Sequence, residues 1–127
     1  MARSDFVHLH THTEYSMLDG AASNDDLSMI GEANLAALLY RKRDERAPML
    51  GAAACLQMAT VNGAKAMGFD HSGRIAEGYR ADIILVDTQS SHMQPIHDAQ
   101  NNIVYASTAQ DVYLTMVDGR VLYCDGT

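Results

Sequence analysis

Cysteine is scarce in this chain of 127 residues. The two that occur, Cys55 and Cys124, lie far apart and follow no metal-ligand spacing. With no secretory signal visible, they are expected to be reduced, buried thiols. Basic residues are also few, 9 Lys and Arg against 16 Asp and Glu, for a formal charge of −7. No basic patch is available to neutralise phosphates, which argues against a nucleic-acid partner. The one basic cluster, Arg41-Lys42-Arg43 with Arg46, reads as a solvated helix end. No apolar run approaches the roughly 20 residues that span a bilayer, so no membrane partner is expected and the expected location is the cytoplasm. Internal repeats and low-complexity segments are absent. What remains is 47% hydrophobic and 20% charged, the composition of one globular domain.

The richest chemistry is at the front, in Phe6-Val7-His8-Leu9-His10-Thr11-His12-Thr13-Glu14-Tyr15-Ser16-Met17-Leu18-Asp19-Gly20-Ala21-Ala22. In an extended strand, side chains at i, i+2 and i+4 share a face. His8, His10 and His12 would therefore line one side. Imidazoles on a common edge suit Zn, Fe, Mn or Ni, and Asp19 or Glu14 would add a hard ligand. Such a set opens many hydrolytic metal sites, where the metal lowers the pKa of bound water. The plainer reading is a polar strand with exposed histidines.

Further along, residues 5–13 read as a strand and 14–20 as a turn or loop. Ser23-Asn24-Asp25-Asp26 is a helix start, with Ser23 or Asn24 as N-cap. Leu27, Ile30, Asn34, Leu35, Leu38 and Leu39 recur at helical spacing as the apolar face, and Pro48 interrupts this helix. A second helix is expected over 51–67, with Ala52, Cys55, Leu56, Ala59, Gly63, Ala66 and Met67 as its stripe and Gly68 as C′ residue. Met58 and Met67 read as core filling. After Ser72 the character turns to β. Residues 81–87 form a strand whose continuous apolar centre suggests burial on both faces. Residues 88–102 read as a long polar loop and 103–107 as a short helix. Asp118-Gly119 is a type I′ turn joining strands over 111–117 and 120–124.

Several of these pieces resemble a known family. They are Asp19-Gly20-Ala21-Ala22-Ser23-Asn24, the helix Met58-Ala59-Thr60-Val61-Asn62-Gly63-Ala64-Lys65-Ala66-Met67-Gly68, the stretch from Gly73-Arg74-Ile75 through Ala81-Asp82 to Asp87, and Val117-Asp118-Gly119-Arg120-Val121. From about Leu18 onward the chain resembles the carboxyl-terminal third of amidohydrolase-superfamily enzymes, nearest the chlorohydrolases and adenosine-type deaminases. The resemblance implies a (β/α)₈ barrel with a small β-sandwich, and a metal-dependent hydrolase acting on C–N or C–Cl bonds of a heterocyclic small molecule. It implies that Asp19 is the catalytic aspartate ending barrel strand 8, which binds the metal or takes a proton from the attacking water. Residues 5–22 resemble something else, the amino terminus of the polymerase-and-histidinol-phosphatase (PHP) domain of bacterial DNA polymerase III alpha subunits. That likeness makes His10 and His12 the metal pair and Asp19 a further ligand, with His8 standing where the wider family often has aspartate.

The expected fold is accordingly α+β: an N-terminal strand, two barrel-type helices, then a small β-sandwich-like sheet with a C-terminal hairpin, a truncated amidohydrolase. It is expected as a single domain over 1–127, divided into a metal-motif part (1–22), a helical part (23–68) and a β part (69–127). The expected metal set is His10, His12 and Asp19, holding a divalent metal, Zn before Fe or Mn. A full barrel needs about 250 residues, and strands 2 to 7 of that pattern are missing here. The helices' apolar faces then need other cover, so a homo-oligomer or a partly molten monomer is expected. The competing expectations are a non-catalytic interaction module and a PHP-type phosphoesterase. His71, His92 and His97 are expected in loops from which they could be recruited to the site, with His92 and His97 on the surface and His97 the better placed to touch a substrate or partner.

Overall fold

The computed structural model describes residues 28–41 and 50–124. The first helix, α1 (Met29–Arg41), opens on Ser28, whose Oγ accepts from the Gly31 N–H at 3.1 Å. This satisfies one of the orphan N–H groups of the first turn. Ser23 and Asn24, the expected N-caps, lie outside the described residues.

The buried face of α1 is also not the expected one. Ala33 and Ala37 are buried, whereas Leu35, Leu38 and Leu39 stand 44–62% exposed. Alanines let α1 approach its neighbours closely, and Asn34 Nδ2 donates to the Val104 carbonyl at 3.0 Å across the contact. The leucine stripe has helical spacing but lies on the other side of the cylinder.

The second helical stretch begins with α2 (Ala52–Gln57), passes through a π-helical turn (Met58–Asn62) and ends as α3 (Gly63–Ala66). The Thr60 hydroxyl donates to the Leu56 carbonyl at 2.6 Å, the acceptor that the Thr60 N–H would use in a regular α-helix. The stretch stops at Gly68, whose φ of +78° is the left-handed conformation expected of a C′ residue. Ala52, Cys55 and Met58 join Ala33, Ala37 and Val104 in one core cluster. Met58 fills the core as expected. Met67 does not, since it lies beyond the last turn and is half exposed.

The β part is a three-stranded antiparallel sheet in the order β1 (Ile83–Val86), β2 (Val112–Val117), β3 (Arg120–Cys124). Ile83 faces Met116 and Leu85 faces Leu114, while Leu114 faces Cys124 and Met116 faces Val121. These six side chains share one face, because alternate residues point the same way. A register shift between Thr115 and Met116 leaves Leu122 as the extra residue of a bulge in β3. The hairpin is as expected: Asp118 and Gly119 have φ of 51° and 77°, the two positive values that a type I′ turn demands.

Burial of β1 on both faces is not observed. Ile84 is 50% and Leu85 49% exposed. Ile84 only rims an apolar groove against the helices, and one sheet, not a sandwich, is present among the described residues. Between β1 and β2 runs a short 3₁₀ turn (Ser91–Met93), then α4 (Ala99–Tyr105), longer than the helix expected over 103–107. Asp98 caps α4 by accepting from the Asn101 N–H at 2.8 Å. Val104 of α4 enters the core between α1 and α2.

Candidate functional site

His10, His12 and Asp19, the residues nominated for metal binding and catalysis, lie outside the described residues, as do His8 and Glu14. His71, His92 and His97, the histidines expected in loops, are described and exposed. His71 sits edge-on to Tyr79 with ring centroids 5.7 Å apart. His92 is tied to a buried carboxylate, which the sequence pattern did not signal.

That carboxylate is Asp111, at the end of a second 3₁₀ turn (Ala109–Asp111), and it is only 5% exposed. Its Oδ2 accepts from the Thr108 N–H at 2.7 Å and the Thr108 hydroxyl at 2.9 Å. His92 Nε2 lies 2.9 Å from the same oxygen, and Ser90 Oγ donates to Oδ1 at 3.3 Å. The His92 hydrogen bond is the largest influence holding the carboxyl down to about 2; burial pushes the other way, and the two Thr108 bonds assist His92. The Asp111 carbonyl also accepts from the Asp87 N–H at 2.7 Å, so the group pins the end of β1, the 88–98 loop and the start of β2 together.

A second polar junction joins the motifs that carried the family resemblance. Asp82 Oδ1 accepts from the Asp118 N–H at 2.8 Å, and Asp82 Oδ2 accepts from the Ser72 hydroxyl. The Gly119 N–H donates to the Ala81 carbonyl at 3.1 Å. Arg80 Nε lies 3.7 Å from Asp82 and 3.4 Å from Asp118. The Ser72 bond, then the Asp118 N–H, hold the Asp82 carboxyl below the ordinary range. The Ala81-Asp82 and Asp118-Gly119 motifs, 36 residues apart, thus meet to clasp the hairpin turn.

Gly73 is a third fixed point. Its φ is +86°, and a Cβ there would come within 2.7 Å of the Thr60 carbonyl oxygen. Only glycine lets this loop lie against the π-helical turn. Beside it opens a cleft of about 210 Å³ whose walls include Lys65, Asp70, Arg74 and Tyr79. Arg74 is already engaged there: its guanidinium lies 4.4 Å from the centroid of the Tyr79 ring and donates to the Tyr79 oxygen at 2.6 Å.

These arrangements fasten segments together. Among the described residues no three His, Cys, Asp or Glu side chains come together as a metal would require. The described residues therefore do not by themselves form a metal-binding set. No helix among them is long and apolar enough to cross a membrane.

The model of the amidohydrolase family matches residues 6–122. The chain belongs to the amidohydrolase family. The match begins ahead of His8, so it takes in the histidine-rich stretch as well as the helices and sheet. The 5-methylthioadenosine/S-adenosylhomocysteine deaminase of Halobacterium salinarum is 46% identical over 107 residues, 84% of this chain and 25% of that protein. The enzyme of the same name from Acetivibrio thermocellus is 42% identical over 105 residues, 82% of this chain and 24% of that one. The 5'-deoxyadenosine deaminase of Methanosarcina mazei is 42% identical over 107 residues, 84% of this chain and 24% of that protein. This amidohydrolase chain thus spans about a quarter of the length of the curated relatives it matches.

Solved structures agree on the fold. A zinc-bound adenosine deaminase from Xanthomonas campestris superposes with a TM-score of 0.73 at 32% identity, covering 76% of this chain and 22% of that one. The atrazine chlorohydrolase of Arthrobacter aurescens TC1, complexed with zinc, superposes with a TM-score of 0.70 at 30% identity and the same coverage. The helices and the small antiparallel sheet are therefore an amidohydrolase-like arrangement, as the motifs implied.

Proposed function

We propose that this chain is a hydrolase of the hydrolytic-deaminase type, acting on the C–N bond of an adenosine-type heterocycle. The identity of 42–46% to deaminases of methylthioadenosine and S-adenosylhomocysteine carries the reading. In it, Asp19 is the catalytic aspartate. His10, His12 and Asp19 would hold a divalent metal, zinc first, as zinc is bound in the superposed deaminase. A metal held there supplies an activated water at neutral pH. The described residues supply the scaffold: the Asp82–Asp118 clasp and the Asp111 hub fix the sheet, and Gly73 lets its loop lie against the π-helical turn. The finer fold reading, that the sheet is one layer of a β-sandwich and that α1 and the 52–66 helix are barrel helices, belongs to this proposal.

The test is metal content of the purified chain beside the His10→Ala/His12→Ala chain, followed by ammonia release from 5'-methylthioadenosine. Stoichiometric metal that the double substitution removes, with ammonia release lost in parallel, is the expected result. An absence of metal in the unsubstituted chain overturns the metal set and leaves the second reading, a non-catalytic interaction module. One observation favours that second reading: the Asp111 and Asp82 clusters both serve to hold segments together. Hydrolysis of a phosphate ester without ammonia release would point instead to the PHP-like reading of residues 5–22.

A further inference from the structure

We draw no further inference here: the strongest candidate, the apolar groove of about 140 Å³ between α1, α2, β1 and α4 rimmed by Met29, Ile30, Leu56, Ile84 and Ile103, carries nothing because nothing in the structure shows what covers it.

Discussion

Asp111 shows how much can depend on one carboxylate. It is buried, and its two oxygens accept from Thr108 and Ser90 and meet the His92 imidazole. Replacing it by Asn keeps the shape but removes the charge that these donors converge on. A buried hydrogen-bonding group left mismatched costs about 1–3 kcal/mol, so Asp111→Asn is expected to lower the unfolding free energy by that order, read as a lower urea midpoint at unchanged slope. The pH dependence has a definite sign. The folded carboxyl is held down to about 2, below the unfolded value of about 3.9. Its contribution is therefore present above the unfolded value and is lost as pH falls toward the folded one. Urea midpoints taken from pH 6 down to pH 2 are expected to converge for the two chains. A gap that stays constant over that range would show that the charge is not what matters. Gly73 is a simpler case. Gly73→Ala sets a Cβ against the Thr60 carbonyl at φ +86° and is expected to cost more than about 1 kcal/mol. Gly51→Ala, at φ −77° with open space around it, is expected to stay within about 0.5 kcal/mol. Thermal unfolding of the two variants side by side checks both.

At the scale of elements, the hairpin and its clasp form one unit. β2 and β3 are joined by a turn whose geometry is local, but the turn is held down by Asp82 from just ahead of β1. Asp82→Ala removes the acceptor of both the Asp118 N–H and the Ser72 hydroxyl. Hydrogen exchange at the Asp118 amide is expected to quicken by an order of magnitude or more, while amides inside α2 keep their rates. Equal acceleration in α2 would mean that the clasp supports the whole fold and not the hairpin alone. The helices follow a different logic. α1 presents alanines to α2 and α4, so its contact rests on close backbone approach. The larger residues Leu35, Leu38 and Leu39 face away from it.

For the whole molecule, that outward leucine face is the main consequence. Leu39 is 62% exposed, and Val121 and Leu122 of β3 are more than half exposed. Large apolar surface left open favours association. Sedimentation at micromolar concentration is expected to return a mass above the 13.8 kDa of one chain, with Leu35→Glu/Leu39→Glu lowering it. A single species at one chain's mass, unchanged by the double substitution, would remove the idea of self-association. The bulge at Leu122 acts in the opposite sense on the β3 edge, because an extra residue interrupts regular pairing with another strand.

Local chemistry was legible in the residues themselves. The type I′ turn, the Gly68 helix end and the α+β order depend on neighbours within a few positions, where backbone sterics and turn geometry decide. Family membership was legible for another reason: Gly73, Asp82 and Asp118-Gly119 each sit at a geometric requirement that few residues meet, even where the partner is distant in the chain. Which face of α1 is buried was not legible, because leucine and alanine stripes both have helical spacing and only the neighbours' shapes choose between them. The double-sided burial expected of β1 failed similarly: an apolar run states a preference, and whether a second layer meets it is decided in three dimensions. The bond between His92 and Asp111 joins positions 19 residues apart that no motif couples. By itself the sequence determined the Asp118-Gly119 turn, the Gly68 cap and the family. Only the tertiary structure decided which apolar face is covered and which carboxylate is buried, because both depend on packing between distant segments.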